Sequence, residues 1–212
     1  FGRGFYILDD YTPLRGLTPA DLEQDATIFP VKDALIYVPS GPIGGGEKGS
    51  QGDNFYRADN PPFGAVFTYW LADDAKSLKA QRKAAEKELV EADKPVFYPS
   101  WDDLREEDRE HEPVVIATVR NTQGEVVRRF NAPGGKGLHR VAWDLRWPDI
   151  SPVNLNRSGP NTPWDDVPAG PLAVPGTYSV TLSQRVRGVE SDIAGPVEFQ
   201  TRLLKNNTTV TD

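Results

Sequence analysis

Every apolar run in this chain is short, and nearly every one is closed by a glycine, a proline or an aspartate pair. Phe5-Tyr6-Ile7-Leu8 lies between Gly4 and Asp9-Asp10, Ala34 to Val38 stops at Pro39, and Ala65 to Leu71 follows Gly64. Val114 to Arg120 and Val126 to Phe130 flank Asn121-Thr122-Gln123-Gly124, where glycine supplies the positive φ that a hairpin turn requires. Leu138 to Leu145 alternates, Thr177 to Val186 follows Pro175-Gly176, and Val197 to Leu203 is the last run. With 19 Gly and 19 Pro in 212 residues, this punctuation breaks helices and predicts a mainly β fold, a sandwich of short strands. No run approaches the roughly 20 apolar residues needed to span a bilayer, so no membrane span is expected.

One segment departs from the pattern. Asp73 to Glu112 holds 13 acidic and 8 basic residues, net -5, which leaves only -2 for the rest of the chain. Leu71, Ala75, Leu78, Ala85 and Leu89 fall at helical spacing, with Asp73 or Asp74 as the candidate cap. Ser100-Trp101-Asp102-Asp103 reads as a second helix start, with Trp101 and Leu104 on one face. The segment 73–112 is therefore expected to be a helical hairpin inserted between strands. A solvated face is its ordinary reading, and a partner-binding arm is the other.

The ends have their own character. Thr18-Pro19-Ala20-Asp21 carries a cap, a proline at the first helical position and an acid at the third, so a helical turn is expected there. The strands at 5–8 and 34–38 are too few to make a domain. Residues 1–40 are expected to pair with strands outside this chain. Residues 41–62, with six glycines and Pro61-Pro62, read as a linker. The stretch lacks the Gly-Lys-Ser/Thr and following helix of a phosphate cradle. Residues 63–204 then form the sandwich, and 205–212 a polar tail. There is no Met in the sequence, so Phe1 is not expected to be a translational start.

Candidate chemistry is sparse. A net charge of -7 argues against nucleic acid as a partner. The absence of Cys removes disulfides, thiolate metal sites and Cys nucleophiles together. His139 shares the face of Trp143 on an alternating strand, and His111 sits among acids, so no zinc set is legible. The arginines Arg120, Arg128, Arg129, Arg140 and Arg146 are spread over strands as surface side chains. Trp70, Trp101 and Trp143 occupy core-like positions. Trp147 and Trp164 lie in the Pro-rich stretch 151–171 or at its edge, with Asp165 and Asp166 beside Trp164. Trp147, Trp164, Asp165 and Asp166 are thus the candidate ligand contacts, suited to a sugar or calcium. No catalytic set, metal or cofactor is expected in this chain.

Two stretches resemble known families. Thr122-Gln123-Gly124-Glu125-Val126-Val127-Arg128, Gly137-Leu138-His139-Arg140-Val141-Ala142-Trp143-Asp144 and Val174-Pro175-Gly176-Thr177-Tyr178 follow one order. That order resembles the immunoglobulin-like repeat of flagellar hook-capping proteins and of many bacterial secreted proteins. The likeness covers Val114 to Ser183 and is broken by the long loop between Asp144 and Val174. The run from Gly2 to Arg15 (Gly-Arg-Gly-Phe-Tyr-Ile-Leu-Asp-Asp-Tyr-Thr-Pro-Leu-Arg) is similar to the closing blade of sortilin-like, sialidase-like BNR-repeat β-propellers. Asn60-Pro61-Pro62-Phe63-Gly64-Ala65-Val66 looks like the junction that follows such propellers. The family's Asp-box is absent from this chain, so its ligand face does not carry over.

These resemblances imply an immunoglobulin-like sandwich with a helical insertion, preceded by strands of an incomplete propeller blade. They also imply an exported protein, extracellular or periplasmic. The expected role is a non-catalytic C-terminal module that packs on the remainder of the parent propeller and offers a surface to a protein or glycan. The alternatives are an accessory domain of a sialidase-like glycoside hydrolase whose catalytic residues lie upstream, or a carbohydrate-binding module.

Overall fold

Alternation along one strand sets the core. In the computed structural model, which describes residues 10–39, 60–150, 152 and 169–204, strand β3 (Ala65–Leu71) buries Ala65, Phe67, Tyr69 and Leu71 on one face. Its other face carries Val66, Thr68 and Trp70. Two antiparallel neighbours flank it. β1 (Ala26–Ile28) pairs Ala26 with Leu71, and β6 (Gly137–Trp143) pairs Trp143 with Ala65. The order of this sheet is β1-β3-β6.

The facing sheet has five strands in the order β2-β8-β7-β4-β5. β4 (Val114–Asn121) and β5 (Val126–Ala132) form the hairpin foreseen from Asn121 to Gly124. There Asn121 Oδ1 accepts the amides of Gln123 and Glu125 at 3.0 and 2.9 Å, and Gly124 adopts φ 80°. β7 (Gly176–Val186) and β8 (Val189–Leu203) form a second hairpin, and β2 (Ala34–Ile36) lies parallel to β8 at the sheet edge. The molecule is mainly β.

Aromatic rings join the sheets. Phe67 meets Phe199 at 5.3 Å and Phe130 at 6.5 Å between ring centres. Trp143 meets Tyr178 at 5.4 Å and Phe199 at 6.2 Å. Phe67, Tyr69 and Trp143 are all essentially removed from water. Each such ring withdraws about 150–250 Å² of apolar surface, so this cluster dominates the stability of the sandwich.

The N-terminal block corrects an expectation. The strand at 34–38 does not look outside the chain for its partner. Ala34, Leu35 and Ile36 align with Thr201, Arg202 and Leu203, and Leu204 N donates to Ile36 O at 3.1 Å. Ala26–Ile28, not foreseen as a strand, completes the smaller sheet. Thr18 does cap the short helix α1 (Pro19–Glu23), with Asp21 Oδ2 accepting Thr18 N at 2.8 Å. The strand expected at 5–8, most of the linker and the tail lie outside the described residues.

The last strand also begins earlier than expected, at Val189 rather than Val197. Gly195-Pro196 reads as a break in the sequence. The ladder passes it by a register shift, pairing Val180 with Val197 but Leu182 with Ala194. A bulge absorbs the extra residue.

The insertion is a pair of helices, α2 (Leu78–Glu91) and α3 (Trp101–Arg109). Ser100 caps α3 as foreseen, in a reciprocal box with Asp103. α2 is capped by Ser77, whose hydroxyl accepts Ala80 N at 3.3 Å, and not by Asp73 or Asp74. Asp74 instead accepts the amide of Lys136, and Asp73 faces the Lys136 ammonium at 3.5 Å. Neither helix buries any residue fully, so the insertion stands on the sandwich as an arm.

Candidate functional site

Trp147, the one candidate ligand contact within the described residues, belongs to a tightly bound neck. Trp164, Asp165 and Asp166 lie outside the described residues. Leu145 is fully buried with φ 58°, a conformation uncommon outside glycine, and it turns the chain out of β6. Ala173 N then donates to Leu145 O at 2.7 Å and Trp147 N to Pro171 O at 2.9 Å. Arg146 Nη1 donates to Gly170 O at 2.8 Å, and Trp143 Nε1 to Arg146 O at 3.0 Å. Arg128 Nη1 reaches Trp147 O at 3.1 Å from β5. The Trp147 ring rests against the hydrophobic core. These bonds fix both feet of the long loop, and Trp147 braces them.

The arginines are therefore not simple surface side chains. Arg120, Arg128, Arg140 and Arg146 each donate to a backbone carbonyl: Gly124, Trp147, Asp10 and Gly170 respectively. All four oxygens lie outside the named strands, where no ladder supplies a donor and a guanidinium can. Arg129 pairs with Glu190 across the outer face of the larger sheet, and that pairing holds the Glu190 carboxyl below its usual range.

The two histidines are separate. His139 shares the inward face with Trp143, lies 5.4 Å from the Tyr69 ring and turns Nε2 to the carbonyl of Gly135. That oxygen accepts only, so Nε2 carries the proton in this contact. His111 lines a cleft of about 400 Å³ with Glu112, Arg185 and Gly188. A second cleft of about 250 Å³ is lined by Asp25, Asp73, Asp74 and Gln184. Among the described residues, no three His, Cys, Asp or Glu side chains converge as a metal site.

The charged insertion is the most distinctive surface. Arg82 on α2 grips Glu107 on α3 with two parallel bonds, Nε to Oε1 at 2.5 Å and Nη2 to Oε2 at 2.9 Å. Its remaining nitrogen reaches Glu86 at 2.7 Å. This pairing lowers the Glu107 pKa and raises that of Arg82. At the base, Glu110 Oε2 accepts Leu78 N at 2.6 Å, while Oε1 lies 3.8 Å from Arg187 in the β7–β8 turn. The start of α2 is thus clamped to the end of α3, and the same end of the arm is tied to the sandwich.

The far end is different. Phe97, Tyr98 and Trp101 project into solvent, with Trp101 72% exposed. The core position expected for Trp101 is thereby corrected. Trp70 also points away from the core, on the outer face of β3, and of the three only Trp143 is buried. The signal for this tip was in the sequence as Pro95-Val96-Phe97-Tyr98-Pro99-Ser100-Trp101, an apolar run within the most charged segment.

No family model, no curated protein and no solved structure matches this chain.

Proposed function

We propose that this chain is a non-catalytic β-sandwich module of a larger exported β-propeller protein, packing on the propeller and presenting a surface to a partner. The observation that supports it best is the outer edge of β2. Among the described residues this strand closes the larger sheet with no neighbour on its far side. Leu35 is 44% exposed there and Val38 beyond its end is 74% exposed. An unpaired edge with outward apolar side chains is a template for association unless something covers it. The N-terminal block that contains β2 is also the block whose first residues resemble a closing propeller blade.

Cross-linking of the intact source protein with an amine-reactive reagent tests this reading. Lys32, exposed two residues before β2, is expected to link to lysines upstream of residue 1. The reading fails if the mature polypeptide begins at Phe1, or if Lys32 links only within these 212 residues.

A further inference from the structure

The end of the helical arm is built to hold aromatic side chains in water. α2 stops at Glu91, Asp93 takes φ 53°, and Lys94 N closes on Leu89 O at 2.8 Å, which turns the chain back. Pro95 and Pro99 then bracket Val96, Phe97 and Tyr98, restricting the backbone at both ends. Phe97 is 82% exposed, Tyr98 78% and Trp101 72%, and Tyr98 meets Trp101 at 6.4 Å between ring centres. Together these rings present on the order of 450 Å² of apolar surface, as large as the biggest patch on an ordinary monomer. A segment held by two prolines loses little freedom when it binds, and Trp and Tyr are the residues that anchor interfaces.

The surroundings select the occupant. The arm carries net -5, and the helix ends nearest the tip bear Glu88, Glu91, Asp93, Asp102 and Asp103 against Lys87, Lys94 and Arg105. Two of those cations are already engaged, Lys87 with Glu91 at 3.7 Å and Arg105 with Asp102 at 3.2 Å. An anionic lipid surface repels such a rim. A flat sugar platform needs coplanar rings, and Tyr98 and Trp101 stand at 63° to each other. A second copy brings the same negative charge to the same place.

We propose that this tip is the anchor by which the protein docks on a partner protein whose apolar pocket is bordered by lysine and arginine. The patch is about half of one side of a standard interface, so it acts as the buried centre and the acidic rim supplies orientation and on-rate. This holds whether or not the β2 edge is the surface that meets the propeller.

The test places the photo-reactive residue p-benzoylphenylalanine at position 97 of the intact source protein in its native cells, with Lys83 on the exposed side of α2 as the control position. The expected result is a cross-link from position 97, absent from position 83. The mapped peptide should carry an apolar segment flanked by Lys or Arg. With that partner purified, Phe97→Ser should weaken binding by about thirtyfold, the scale of an interface hot spot. Glu88→Lys with Glu91→Lys should slow association, and added salt should slow it in the native protein. No cross-link above control, a link to a second copy, a partner segment without basic residues, or binding only to glycans overturns the proposal.

Discussion

The carboxylate of Glu110, just past the end of α3, accepts the backbone amide of Leu78, the first residue of α2, at 2.6 Å. One helix therefore satisfies an open donor of the other, and the shared group is 96% removed from water with Arg187 as its counter-charge. Glu110→Ala leaves that amide unpaired, at a cost of about 1–3 kcal/mol. Hydrogen exchange should show α2 losing protection while β4 and β7 keep theirs. Equal protection of α2 in both proteins would mean that Ser77 alone holds its first turn.

Arg82 and Glu107 make the same arm sensitive to acid. The bidentate contact depresses the Glu107 pKa below its reference of 4.5, so its contribution is complete above that reference and is lost as pH falls through the depressed value. Helix content monitored between pH 6 and pH 2 should fall in the arm before the sheets unfold. Glu107→Gln should remove this early phase and lower helix stability at neutral pH.

Tyr69 governs the alkaline side. Its hydroxyl donates to Pro133 O at 2.5 Å, and burial raises its pKa above the ordinary value of 10.0. The unfolded chain ionises first, so stability is intact below pH 10 and falls as pH rises above it, by up to about 1.4 kcal/mol per unit. Tyr178, also raised by burial, adds to the slope. Denaturant melts of Tyr69→Phe should show a shallower decline above pH 10. The same variant should be weaker at neutral pH by about 1–3 kcal/mol, because Pro133 loses its donor.

Gly64 sits where β3 leaves the Pro61-Pro62 junction, with φ 110°. A Cβ at this position would overlap the carbonyl of Trp143 on the neighbouring strand. Gly64→Ala combines a backbone strain of about 1–3 kcal/mol with displacement of β6. The expected readout is a lowered melting temperature with altered near-ultraviolet dichroism of Trp143. Gly176→Ala, where a Cβ meets nothing within 4 Å, serves as the comparison.

What the sequence revealed depended on range. The β4–β5 hairpin was legible because Asn121 and Gly124 act within five residues, and the caps at Ser100 and Thr18 act within four. β1 was invisible because three residues carry no period, and it exists only against β3. The partner of β2 lies at the other end of the chain, where no local rule reaches. Gly195-Pro196 hid the first half of β8, since a bulge and a chain break look alike in sequence. Trp101 misled for the opposite reason. Helical spacing with Leu104 indicated a shared face, but spacing does not say whether anything covers that face.

The parallel contact between β2 and β8 also sets a schedule. Ala34 leaves the ribosome long before Thr201, its partner in the finished sheet. At about 5–20 residues per second, the edge of β2 waits roughly ten to thirty seconds for the strand that will meet it. Until then Ala34 and Ile36, later buried, face solvent on an unmatched segment, and contacts so distant along the chain form slowly. A nascent chain arrested before residue 189 lacks all of β8 and holds β2 open. For this protein, the fifteen-residue strand β8 is the step that commits β2 to its sheet, long after β1 has met β3.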